Sequence, residues 1–115
     1  MSQTDTLPPG PELDALVAEA MGWTRTGHGI MPWAMPNGDL RQRPIPYSSS
    51  GNGMLAMREW LNGEPRGYVV TVMTNGFSGY AHIGGLGTVV EAQGKHGPHS
   101  LALALLAAEK AEKET

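Results

Sequence analysis

The residues best suited to chemistry fall in two short polar runs. One is Tyr47-Ser48-Ser49-Ser50-Gly51, approached by Arg41 and Arg43; the other is Lys95-His96-Gly97-Pro98-His99-Ser100. Each leads into a segment with helical periodicity. A helix N-terminus presents unpaired N–H groups and the positive end of the helix dipole, which together attract anions. Serine hydroxyls, Lys95, His96 and His99 add donors, and arginine guanidiniums can fork onto phosphate. Trp33 or Tyr47 can stack on a base. The chemistry expected is retention of a phosphate-bearing ligand, with Trp33, Arg41, Arg43, Tyr47, Ser48, Ser49, Ser50, Gly51, Lys95, His96, His99 and Ser100 as the binding set.

Every one of these residues also has a purely architectural reading. Serines ahead of a helix cap it, and arginines in a polar loop are ordinarily solvated. Trp33, alternating with Met31 and Met35, can equally pack in a core or at a subunit contact. Convergence in space is what separates the two readings.

Catalytic chemistry finds little support. No serine lies in a Gly-x-Ser-x-Gly elbow. Asp39 and Glu91 are the central carboxylates, and nothing in the spacing pairs them. Most other acidic residues fall in the first and last helical segments, on faces expected to be solvated. Gly84-Gly85-Leu86-Gly87 lacks the lysine and following helix of a phosphate loop. His96 and His99 are separated by Gly97-Pro98, which breaks a shared helical face, and His28 and His82 are distant, so neither metal nor cofactor is expected. The chain has no cysteine, which excludes disulfides, thiolate metal sites and cysteine nucleophiles.

The elements that must carry these residues follow from periodicity and punctuation. Pro11 opens a helix whose stripe is Leu13, Leu16, Val17, Ala20 and Met21, with Gly22 placed to end it. Met31, Trp33 and Met35 alternate, Asn37-Gly38 turns the chain, and Leu40 to Pro46 returns, predicting an irregular hairpin. A second helix is expected from Gly51 to Leu61, with Met54, Leu55, Arg58 and Leu61 on one face, Trp60 beside it and Met57 less central. Gly67 to Thr74 alternates as a strand, with Tyr68, Val70 and Val72 on one face and Val69, Thr71 and Met73 on the other. Tyr80 to Ile83 and Thr88 to Ala92 follow as partners, with the glycines at 84, 85 and 87 limiting their length. Ser100 to about Lys113 forms a last helix with a wide apolar surface, implying burial on more than one side.

At 115 residues the chain has room for one domain. Residues 1–10 are expected as a flexible tail and 11–115 as the domain. The formal charge of -3 argues against broad binding to duplex DNA. No apolar run approaches the roughly 20 residues that span a bilayer, and Met1 to Gly10 is too polar for a signal peptide or anchor. A cytoplasmic location is expected.

Three patterns resemble the phage ABA-sandwich domain. They are the opening helix running into Met21-Gly22-Trp23; Pro46-Tyr47-Ser48 leading into a tryptophan-bearing helix, after Trp33 and Pro36-Asn37-Gly38; and the Ala/Leu-rich last helix after its His/Pro/Ser approach. Where the family tends to continue with Thr-Asp, this chain has Ser49-Ser50-Gly51-Asn52-Gly53. The resemblance implies an α+β fold, a small antiparallel sheet of three to five strands with helices on both faces, in a phage protein acting in the host cytoplasm. It supplies no catalytic mechanism. The expected function is sequestration of a nucleotide immune signal, cyclic or ADP-ribose-like, by a homo-oligomer. Docking of another protein through the Met/Trp ribbon is the alternative, and hydrolysis using His96 or His99 the remote third.

Overall fold

The computed structural model describes residues 7–27, 29–63, 66–75, 78–85 and 88–114; His28, Phe77 and the first six residues of the expected tail lie outside them. Helix α1 spans Pro11–Ala20. Its proline occupies the first turn, where a missing N–H costs nothing. Gly22 follows at φ +100°, a conformation that favours glycine and turns the chain away. Helix α2 spans Gly51–Asn62 and buries Gly53, Met57 and Leu61. Met57, expected off-centre, is fully buried, whereas Leu55 is exposed. Met57 and Leu61 are four residues apart, and that row sets the face that packs.

Three strands form the larger sheet: β4 (Val69–Thr74), β5 (Gly79–Gly85) and β6 (Thr88–Gly94), antiparallel in sequence order. Val70 pairs with Ile83 and Ile83 with Val90; Val72 pairs with Ala81 and Ala81 with Ala92. These residues make the inner face, as the alternation of Tyr68, Val70 and Val72 requires. β5 and β6 run further than expected: Gly84 and Gly85 keep their places in the ladder at one end, and Gly79 and Tyr80 pair with Gly94 and Gln93 at the other.

Helix α3 spans Gly97–Glu114, beginning three residues earlier than the apolar periodicity suggests. Pro98 falls in its first turn, where proline starts a helix rather than breaking one. The helix lies against the inner face and buries Leu101 through Leu105 and Ala108. Glycines permit the approach. A Cβ at Gly79 would collide with the His96 carbonyl group, and one at Gly94 would lie 2.7 Å from His99 Nδ1. At Gly97 it would meet Met54 Sδ at 3.2 Å.

The α+β class and the small antiparallel sheet are as expected. Among the helices, α2 packs on α3 and β4, and α1 packs on α3. The outer face presents Val69, Met73 and Val89 at 70%, 56% and 65% exposure. An antiparallel sheet tolerates one face in water.

A second, very short antiparallel sheet joins β1 (Thr24–Arg25), β2 (Trp33–Ala34) and β3 (Leu40–Arg41). Its β2–β3 hairpin turns at Gly38 with φ +94°. Trp33 packs edge-on against Trp23 at 6.4 Å between ring centroids, and Trp23 meets Tyr47 in the same way. The Arg25 guanidinium lies 4.4 Å from the Trp33 ring centroid. Of the expected Met/Trp ribbon, Trp33 is buried in the core and Met35 packs against it, while Met31 is half-buried.

Gly79→Ala should destabilise the fold by about 1–3 kcal/mol through overpacking against backbone that cannot yield. Urea unfolding of the variant beside Ser78→Ala, an exposed neighbour, measures it.

Candidate functional site

The approach to α2 is organised by a buried carboxylate. Asp14 Oδ1 accepts hydrogen bonds from the Ser48 N–H and the Ser48 hydroxyl, each at 2.7 Å. Ser48 Oγ in turn accepts the Gly10 N–H at 2.9 Å. Asp14, expected on a solvated helix face, is only 7% exposed because it shares the buried side of α1 with Leu13, Val17 and Ala18. Ser50 caps α2, its hydroxyl oxygen accepting the Gly53 N–H at 2.9 Å and donating to the Pro46 carbonyl. Tyr47 is buried and its hydroxyl accepts the Trp23 indole N–H at 3.1 Å. Gly51 opens the helix, exposed.

The approach to α3 is similarly occupied. The Lys95 N–H donates to His99 Nδ1 at 2.8 Å, so Nδ1 is an acceptor and Nε2 carries the proton. That Nε2–H donates to the Leu7 carbonyl at 2.8 Å. His96 Nδ1 accepts the His99 N–H. Ser100 lies inside the first turns of α3, fully buried, with its hydroxyl on the Gly97 carbonyl at 2.8 Å. The Lys95 side chain is exposed.

The two approaches are neighbours, since Met54 of α2 packs against Gly97 of α3. What lies across them is the chain itself. Leu7 binds His99 and packs on the core, while Gly10 binds Ser48. The last residues of the expected tail are therefore fastened at both ends.

A separate cavity of about 330 Å³ is lined by Gly10, Pro11, Asp14, Arg43, Pro44, Pro46 and Ser49. It brings together two expected ligand residues, Arg43 and Ser49, with the start of α1 instead of those of α2 and α3. Gly10, at the N-cap of α1, provides no side-chain cap there. Arg41 belongs elsewhere: its guanidinium lies 3.6 Å from Asp39 Oδ2 and donates to the Leu40 carbonyl. Trp33 is in the aromatic cluster. Arg43 is the one cation among its lining residues, and the Asp14 carboxylate lines it as well.

Sequence reading missed Asp14, Pro11 and Gly10. Asp14 was detectable: it stands three and four residues before Val17 and Ala18, on the apolar stripe.

No protein-family model matches the chain, and no curated protein matches its sequence. A crystal structure of a phage protein from Bacillus cereus ATCC 14579 matches over 94% of this chain and 98% of that one, with a TM-score of 0.69 at 18% identity. A phage protein shares this fold. At that identity the likeness shows architecture alone. Among the described residues no helix is long and apolar enough to cross a membrane, and no group of three or more His, Asp or Glu residues could hold a metal.

Asp14→Ala would leave both Ser48 donors buried without their acceptor. It should cost about 1–3 kcal/mol in urea unfolding, with Asp14→Asn recovering part. Tyr47 provides a pH test. Burial raises its phenol above the ordinary value of 10.0, the Trp23 hydrogen bond opposes this and the Asp14 charge adds to it. A raised pKa means the fold prefers the neutral phenol. The contribution is complete below about pH 10 and lost as pH rises through the folded value. Stability of the protein should fall more steeply above that pH than stability of Tyr47→Phe.

Proposed function

We propose that this is a phage accessory protein of the ABA-sandwich type that binds a small phosphate-bearing ligand without reacting with it. The ligand class is a nucleotide-derived signal of host antiphage defence, and sequestration is the action. The observation that carries this reading is Arg43 and Ser49 at a proline-walled cavity beside the uncapped start of α1. The cavity is near the small end of ligand pockets, which run from roughly 300 to 1,000 Å³. It suits one nucleotide unit, with phosphate toward Arg43 and the base against Pro11, Pro44 and Pro46. The fold of a phage protein is consistent with the context. Binding without turnover is favoured because both ring nitrogens of His99 and Nδ1 of His96 are already engaged within the chain.

A second reading is favoured by one observation, the exposed Val69, Met73 and Val89 on the outer face of the larger sheet. In it, the protein docks another protein through that face; Trp33 of the Met/Trp ribbon is itself buried.

Calorimetry against cyclic di- and trinucleotides and cyclic ADP-ribose isomers tests the first reading. One ligand should bind, and be recovered chemically intact after heat release. Arg43→Ala should weaken it by about 10–100-fold, the worth of a charged hydrogen bond, while Arg41→Ala leaves it unchanged. Silence across the panel, or a hydrolysed product, would sink the proposal. Loss of a pulled-down partner in Met73→Lys, with Arg43→Ala unaffected, would favour the second.

A further inference from the structure

Asp14 gives the Arg43 cavity more than a wall. Its Oδ1 is occupied by the two Ser48 donors, and among the described residues its Oδ2 accepts no hydrogen bond. Nor is Oδ2 sealed in: Arg66 Nε is the one buried polar side-chain atom of those residues left without a partner. The Asp14 side chain is 7% exposed and lines the cavity, so its free oxygen opens into that space. A carboxylate oxygen only accepts, so whatever is seated there must bring an N–H or O–H.

Depth orders the two charges. Arg43 is exposed and makes no ion pair or hydrogen bond among the described residues. The cation therefore stands at the rim and the carboxylate at the floor. Like charges repel, which keeps a phosphate away from Asp14 and beside Arg43. A ligand enters donor end first, with its phosphate left at the mouth.

We propose that the group seated on Asp14 Oδ2 is the exocyclic amino group of an adenine. This rests on the reading of the cavity as a nucleotide site and names the base it takes. One free oxygen suits one donor, and adenine presents its amino group beside a ring nitrogen that carries no proton. Guanine offers two adjacent N–H donors and needs both carboxylate oxygens, of which Ser48 holds one. Uracil and hypoxanthine set a carbonyl beside their N–H, and that oxygen would face the carboxylate. Of the two remaining bases, adenine covers more of the Pro11, Pro44 and Pro46 walls than the single ring of cytosine. Asp14 reads the base while Arg43 holds the phosphate.

Calorimetry with AMP and two analogues tests this. AMP should bind at least about tenfold more tightly than purine riboside 5′-monophosphate, which differs only in lacking the amino group. Asp14→Asn keeps an oxygen for Ser48 and turns an N–H toward the cavity. In that variant AMP should lose its advantage, and inosine monophosphate, with a carbonyl in place of the amino group, should bind the tighter of the two. A purely structural role for Asp14 would weaken every nucleotide alike. Circular dichroism checks that the variant folds, and the comparison on the unaltered protein stands without it. Equal binding of AMP and its deamino analogue, silence from AMP while another nucleotide binds, or an unchanged order in folded Asp14→Asn would each overturn the assignment and leave the nucleotide reading in place. If no nucleotide binds, both fall.

Discussion

The closeness of α3 to the sheet is the constraint on which the rest depends. A helix that buries Leu101 through Leu105 must sit directly on the strands, and the start of α3 does so where Gly79 and Gly94 carry no side chain. Gly97 continues the fit by admitting Met54 of α2. Once α3 is seated, it becomes the platform for α1 and, together with β4, for α2. One helix is therefore covered on two sides, which accounts for its wide apolar surface without any appeal to a partner. The outer face of the sheet is left to water as a consequence.

Polar contacts then tie the irregular segments to that platform. Asp14 holds Ser48, Ser48 holds Gly10, and His99 holds Leu7. These are buried or half-buried groups whose loss would leave donors unsatisfied, so they act more as specificity than as raw stabilisation. They also set the walls of the cavity beside Arg43. The serine and histidine side chains that resemble ligand groups in the sequence are, for the most part, the ones already employed in this way.

Much of the fold was legible. Pro11 and Gly22 bracket α1, Ser50 caps α2, and the alternation through Tyr68, Val70 and Val72 identifies the inner face of the sheet. The start of α3 was misread because Gly97-Pro98 looks like a breaker; proline in a first turn, and glycine facing Met54, are what a tightly packed helix start needs. β1 was invisible since two residues carry no periodicity. The site was less legible than the fold. Arg43 and Ser49 do share a cavity, yet its other half comes from the start of α1, 29 residues or more away in sequence. No local pattern encodes that meeting; only the apolar stripe that buries Asp14 hints at it.

The hydrogen bond from His99 to Leu7 closes a separation of 92 residues. During synthesis on a ribosome, α1 and the residues before it are made first, but their platform, α3, is made last. Until then α1 has the Ser48 loop to hold it but not the helix that covers its apolar stripe, and a lone ten-residue helix is marginal in water. Long-range closure of this kind slows folding. The first helix therefore gains its full apolar cover only once α3 has been made.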